Sequence, residues 1–368
     1  MAVLNEEQRM LRDAAEAWVR DRAPVTALRA LRQGTPAPGH DPALYAEMAE
    51  MGWTGILAGE DHGGSDLGLL TMGIVAEQLG RHLVTSPLVS SGVGAVSALR
   101  LGGAPVLADE WLPAIVEGRA VLALAIDEGP RHDPAAPGLT AAREGGGWRL
   151  SGAKRPVING LAAHAFLVSA ATPDGVALFL VDAGAPGLTI APLKEIDVRG
   201  AALCHFDGVM VAEDARLSTP GLLDGVLDRV RAVVAAEMLG TAAQAFDTTL
   251  DYLKTRMQFG QIIGRFQALQ HRAAALYGEL ELTRSAVEAA LAALDDAAPD
   301  AASLVSVAKA LAGDLVRRMG AEMIQLHGGI GMTDEHDAGL YLKRGRVLDM
   351  SYGDVAFHRE RYALLNGY

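Results

Sequence analysis

Val121-Leu-Ala-Leu-Ala-Ile126 is the stretch where the sequence changes its period. Six apolar residues in a row are too short for a helix of ordinary length and suit a strand buried on both faces. Upstream of it the spacing is helical. Asn5 and Gln8 stand at capping-box distance, and Leu11, Ala14, Ala15 and Trp18 mark one helical face. Further helices are expected over 41–51, 67–80 and 92–101, with a glycine-rich loop at 58–65. Downstream, residues 128–138 carry three prolines and read as loop. The segments 148–150, 165–168, 176–181, 188–190 and 203–211 are short and β-prone. Gly, Pro, Asp and Asn separate them, as in an antiparallel barrel or sandwich. From about Thr219 the helical period returns, in long pieces at 222–256, 266–294 and 300–326, with a short turn at 295–299. The expected class is α+β: an N-terminal helical domain over 1–118, a middle β domain over 119–218 and a C-terminal helical bundle over 219–368.

Composition narrows the function classes. The 368 residues carry a formal charge of −13, and without a basic run to offset it a nucleic-acid partner is not expected. Cys204 is the one cysteine, so neither an internal disulfide nor a cysteine-rich metal site is available, in keeping with a reducing cytoplasm. The opening stretch places acids where a signal peptide has its apolar core, and no apolar run reaches the length of a membrane span. No nucleophile elbow, phosphate-loop or dinucleotide fingerprint is present. The ten histidines are scattered, and no metal site is expected.

Two clusters remain. Arg256-Met-Gln-Phe-Gly260, followed by Phe266-Gln267, closes a long Ala-rich helix. Arginine and glutamine there suit a phosphate and a ring edge; equally, an arginine and a glycine suit an ordinary helix C-terminus. Gln325-Leu-His-Gly-Gly-Ile-Gly-Met332 places three glycines after a helix. Such a turn lets backbone amides approach a pyrophosphate, or simply ends the helix.

Together these runs resemble the signatures of the acyl-CoA dehydrogenase flavoproteins. The similarity extends along the chain, through Leu4-Asn-Glu-Glu-Gln8, Gly52-Trp-Thr-Gly-Ile56, Gly63-Gly64-Ser65 and the run Gly152-Ala-Lys-Arg-Pro-Val-Ile-Asn-Gly160. The last matches a family strand Gly-x-Lys-x-Trp-Ile-Thr-Asn-Gly, with Pro156 in place of the tryptophan and Ile158 in place of the threonine. The resemblance implies FAD and at least a dimer. It implies that Arg256, Gln258, Phe259, Phe266, Gln267, Gln325, Gly328 and Gly329 contact the cofactor, the diphosphate and adenosine being those of a neighbouring subunit's flavin. Backbone amides of Val157 and Ile158 would meet its ring. In its departures the chain is similar to the small subunits of heteromeric acyl-CoA dehydrogenases.

The family's reaction removes an α-proton from an acyl thioester with a carboxylate while flavin N5 accepts the β-hydride. Ungapped counting places that carboxylate at Tyr352, or in some members at Val230, and neither is an acid. Asp354 is the first candidate base, or else a flavin or loop hydrogen-bonding group. Glu237 is the second, or else the partner of an arginine or hydroxyl on a neighbouring helix; Asp228 falls on the opposite side of the turn from Val230. The implied function is α,β-desaturation of an acyl-CoA with electrons passed to an electron-transfer flavoprotein. The alternatives are a base-lacking subunit that completes another chain's flavin site, and a flavoprotein oxidase or non-redox enzyme on the same fold.

Overall fold

Asn5 caps the first helix as its spacing requires: Oδ1 accepts the Gln8 N–H at 2.8 Å and Gln8 Oε1 accepts the Asn5 N–H at 3.1 Å. The structure is a computed structural model that describes residues 4–34 and 39–368, so the first three residues of the acidic opening stretch lie outside the described residues. The N-terminal helices are α1 (Glu6–Arg22), α2 (Val25–Gln33), α3 (Pro42–Glu50), α4 (Gly68–Arg81), α5 (Val96–Leu101) and α6 (Pro105–Val116). A π-helical segment, Leu88–Ala95, runs into α5, so the helix expected over 92–101 begins earlier and in a wider coil. The strands are β1 (Leu122–Ala125), β2 (Thr140–Glu144), β3 (Gly147–Val157), β4 (Ala165–Thr172), β5 (Gly175–Asp182), β6 (Leu188–Pro192), β7 (Ala202–Ala212) and β8 (Arg216–Leu217). Then come α7 (Leu222–Thr255), a two-stranded ribbon of β9 (Met257–Gln258) and β10 (Gln261–Ile262), α8 (Gln267–Asp295), α9 (Ala301–His327), α10 (Ala338–Met350) and α11 (Val355–Leu365). The order helical, β, helical is the expected one.

Contacts group the chain into two units. One comprises Met1–Leu28, Leu69–Val84 and Arg231–Tyr368; the other comprises Arg29–Gly68 and Thr85–Val230.

In the first unit, α4 and α7 cross with their backbones in contact. A Cβ on Gly80 would lie 2.1 Å from Glu237 O, and one on Gly240 would lie 1.9 Å from Glu77 O. Each helix therefore needs a residue without a side chain where the other's carbonyl passes. The Thr241 hydroxyl donates to Gly80 O at 3.2 Å across the same crossing.

The second unit holds one eight-stranded sheet in the order β6-β7-β3-β2-β4-β5-β8, with β1 beside β4 off that path. Strand β7 shows the period-2 rule plainly: Ala202, Cys204 and Phe206 are buried while His205 and Asp207 face out. Trp148, fully buried, packs against Phe179 at 5.5 Å, with the Arg143 and Arg216 guanidinium groups 4.6 and 4.9 Å from its ring. Burial pushes the Cys204 thiol up to about 12, which makes it unreactive.

Two features depart from the sequence reading. The sheet is mixed rather than antiparallel throughout, because β1 and one residue pair of β2 run parallel to β4. Parallel neighbours need a long connection, here the whole β2–β3 hairpin, and no turn residue signals it. Strand β2 was not expected, since four of its five residues are exposed and it shows no apolar run.

Candidate functional site

The α7 helix ends at Thr255, and the Arg256 N–H still reaches Tyr252 O at 2.8 Å. The chain then turns back on itself: β9 and β10 pair Gln261 with Gln258 and Ile262 with Met257. Phe259 (φ 51) and Gly260 (φ 78) form the tip, and positive φ at both central residues is the signature of a type I′ hairpin. Gly260 is thus a hairpin glycine and not the helix cap that its position first suggests. Arg256, Gln258 and Phe259 are exposed on this hairpin, Phe259 to 89%. Phe266 occupies the N-cap position of α8 and meets the Phe259 ring edge-on at 6.1 Å; Gln267, next to it, is exposed.

The second cluster ends α9 in the same unit. Gln325 is exposed in its last turn, and Gly328 (φ 65) opens a 3₁₀ segment, Gly328–Met332. Beyond their own chain neighbours, no atom of the described residues lies within 4 Å of a Cβ placed on Gly328 or Gly329, so their backbone faces open space. Gly331 differs: its Cβ would stand 2.7 Å from Ile324 O and 3.0 Å from the His327 Cβ, so this glycine serves packing. The two clusters meet through rings, Tyr252 lying 4.4 Å from His327.

The two candidate acids also belong to this unit and have different surroundings. Glu237 is buried on α7, 3.3 Å from Arg344 Nη1 on α10, itself fully buried and also donating to Leu83 O and Val84 O. The partner is the neighbouring-helix arginine of the second reading given above. Asp354 is exposed at the start of α11, where its Oδ1 accepts the Phe357 N–H at 2.9 Å.

Before Asp354 lies a turn clamped from inside. Lys309 on α9, 1% exposed, donates to Leu348 O, Asp349 O and Gly353 O at 3.0, 2.9 and 3.0 Å. The Arg231 Nε donates to Tyr352 O at 3.0 Å, and His358 Nε2 approaches the same carbonyl at 3.3 Å. Tyr352 is buried with φ 58, an uncommon conformation for a bulky residue. Burial, then the nearby Lys309, Arg231 and Arg361 charges, push His358 far below its ordinary range and keep it neutral. None of these cations was singled out from sequence, though a lone lysine in Val305-Ser-Val-Ala-Lys-Ala-Leu-Ala312 was the available sign.

In the second unit, Val157 ends β3 buried opposite Ala202, and Ile158 is half-buried. Asn159 (φ 58) follows, its Oδ1 accepting the Ser90 hydroxyl at 2.9 Å and its Nδ2 donating to Arg199 O at 3.3 Å. The loop after β1 is pinned to this strand. Lys154, with a fully buried side chain, donates to Ile126 O, Glu128 Oε1 and Ser169 Oγ at 3.0, 2.7 and 3.0 Å. Burial opposes ionisation of Glu128, but bonds from Lys154, Leu139 and Gly138 hold its carboxyl below the ordinary range.

Among the described residues no group of three or more His, Cys, Asp or Glu side chains is placed to hold a metal ion. No helix among them is long and apolar enough to cross a membrane.

Comparison with known proteins gives a consistent set of likenesses. Residues 5–119 match the model "Acyl-CoA dehydrogenase, N-terminal domain" and residues 222–363 match "Acyl-CoA dehydrogenase, C-terminal domain". The chain is 30% identical over 340 residues to acyl-CoA dehydrogenase IpdE2 of Mycobacterium tuberculosis, covering 92% of this chain and 91% of that relative. Among solved structures it is similar to the Tcur3481-Tcur3483 steroid ACAD, with TM-score 0.91, 35% identity and 98% of both chains covered. It is also similar to the ChsE4-ChsE5 complex from Mycobacterium tuberculosis, with TM-score 0.93, 26% identity and coverage of 100% and 99%.

Proposed function

The chain belongs to the acyl-CoA dehydrogenase family of oxidoreductases, and on that premise we propose that it is a FAD-dependent enzyme desaturating an acyl-CoA thioester between Cα and Cβ. Its electrons pass to an electron-transfer flavoprotein. The observation that carries this reading is the meeting, within one unit, of the exposed Arg256–Gln258 hairpin and the open Gly328–Gly329 turn. A guanidinium, three carboxamides and backbone unobstructed by any side chain are the chemistry of a diphosphate site, so the residues fit the cofactor. When bound, FAD supplies the hydride acceptor.

In this reading Arg256 neutralises diphosphate charge, Gln258, Gln267 and Gln325 offer hydrogen bonds, and Gly328 and Gly329 let main chain come close. Phe259 and Phe266 offer apolar ring faces to the nucleotide, and the backbone of Val157 and Ile158 is the part that meets the flavin ring. The chain works as an oligomer in which the hairpin and turn serve a neighbouring subunit's cofactor. Arg256→Ala is expected to weaken FAD binding roughly ten- to hundredfold, the worth of a hydrogen bond to a charged group. Fluorescence titration of the flavin-stripped protein measures it, and undiminished affinity would remove Arg256 from the site.

Asp354 is the proposed base. Of the two candidate acids it is the one with an exposed carboxylate, whereas Glu237 is enclosed with Arg344. Asp354→Asn keeps a good helix cap and removes the proton acceptor, so turnover should fall about a hundredfold or more. The assay is bleaching of the flavin by a panel of straight-chain, dicarboxylic and steroid side-chain CoA thioesters. Unchanged bleaching would remove Asp354 from the role. A second reading is a base-lacking subunit of a heteromeric dehydrogenase. Tyr352, buried where the family's glutamate counts out, and the likeness to the ChsE4-ChsE5 complex favour it. It predicts flavin and turnover only on co-expression with a second dehydrogenase chain.

A further inference from the structure

His327 sits at the junction of the two clusters and is explained by neither. Its side chain is buried, with 3% of the residue exposed. Nδ1 lies 2.7 Å from Met323 O; a carbonyl only accepts, so the ring proton is on Nδ1. Nε2 is then a bare lone pair, without a hydrogen-bond partner among the described residues. A polar ring left half-satisfied in a buried place carries an energetic penalty, so another feature of the site must favour it.

That feature is geometric. Tyr252 lies against one side of the ring, with centroids 4.4 Å apart and planes at 32°, and His336 lies 4.3 Å away at 47°. The three rings come from three segments: the last turn of α7, the last turn of α9 and the loop before α10. Tyr252 also accepts, through its carbonyl, the Arg256 N–H that begins the hairpin. His336 accepts the Ala338 N–H through Nδ1 at 3.1 Å and so is anchored to the start of α10. Gly331 lets the chain return over His327, its missing Cβ leaving room for the His327 Cβ.

The geometry points to the Tyr252–His327–His336 ladder as the positioning element that holds the Arg256–Gln258 hairpin in register with the Gly328–Gly329 turn, so that one ligand meets both. This deepens the proposed function and rests on it for the identity of that ligand, FAD. Met323 O faces the His327 Nδ1–H, while burial, with the adjoining His336, lowers its imidazole below the ordinary range. It is therefore neutral at physiological pH and acts through tilted ring contacts rather than by charge.

The test uses the full chain with its flavin removed. His327→Ala should raise amide hydrogen exchange across Met257–Ile262 and weaken FAD binding on the order of tenfold, as expected for losing two ring contacts. His327→Phe should restore both, because it keeps the stack and lacks the polar edge. Unchanged hairpin exchange in His327→Ala would overturn the proposal. So would a loss that His327→Phe fails to rescue, since the role would then be polar. Should the wild-type chain bind no FAD, alone or with a second dehydrogenase chain, the flavin reading fails, while the exchange arm still decides whether the ladder holds the hairpin.

Discussion

Glu237→Gln is expected to lower the free energy of unfolding by about 3–5 kcal/mol, the usual result of removing one partner from a buried ion pair. The substitution is isosteric, so no cavity contributes. What remains is the Arg344 guanidinium, fully buried on α10, with Leu83 O and Val84 O as acceptors but its carboxylate partner gone. Chemical denaturation of the single variants and of Glu237→Gln/Arg344→Gln measures the coupling, and the double variant should lose less than the sum of the two. The experiment also separates two roles. A proton acceptor replaced by its amide would leave stability unchanged and abolish turnover. A structural counter-ion would do the reverse per folded molecule. A stability change below about 1 kcal/mol would contradict the structural role, since buried pairs rarely come apart at so small a loss.

The same residue shows how far the sequence can be read. A glutamate within Val233-Val-Ala-Ala-Glu-Met-Leu239 announces a buried charge, because apolar neighbours on all sides leave it no solvent. Its partner is 107 residues away, and nothing in the local pattern of Leu342-Lys-Arg-Gly-Arg346 marks Arg344 as the inward one. The N-terminal cap was legible because Asn5 and Gln8 satisfy each other within a single turn. The β segments were legible where alternation and burial coincide, as in β7, and illegible in β2, whose residues are mostly exposed.

At the candidate site, Gly328 and Gly329 could be picked out by composition. The meaning of Gly260 required knowing that Met257 and Ile262 pair, which is a matter of backbone register. The cations beneath the Leu348–Gly353 turn were hardest to see. They bind carbonyl oxygens, and every residue has one, so no side-chain complementarity appears in the sequence. The ring ladder was hidden for a related reason: Tyr252 and His327 are 75 positions apart and each looks ordinary alone.

Lys309→Met should abolish a rise in stability that the wild-type protein shows between about pH 7 and pH 10. Burial pushes the Lys309 ammonium down to about 7 from the ordinary lysine range, against the opposing pull of Asp349 and Asp354 and with the help of the Arg231 charge. Below pH 7 both native and unfolded chains hold the proton. Between that pH and the ordinary lysine value of 10.5 the unfolded chain holds it and the native chain releases it. The unfolded state then binds more protons, so stability increases with pH, by at most about 1.4 kcal/mol per unit.

The groups facing Lys309 bear on the size of that slope. Asp349 on α10, whose own carboxyl burial raises and which Lys309 and then Arg317 lower, favours the charged lysine; Arg231 on α7 disfavours it; His358 on α11 is neutral throughout. The ammonium has three N–H groups for its three carbonyl acceptors and the neutral amine has two, so deprotonation frees one of Leu348 O, Asp349 O or Gly353 O. Two readouts follow. The gap in unfolding free energy between wild type and Lys309→Met should widen from pH 7 to pH 10. Over the same interval amide protection in the Ser351–Asp354 turn of the wild type, taken relative to the base-catalysed intrinsic rate, should fall, because the clamp loses a bond while the fold as a whole gains stability. A flat gap across that range would mean that Lys309 keeps its proton, the three carbonyls and Asp349 together outweighing burial.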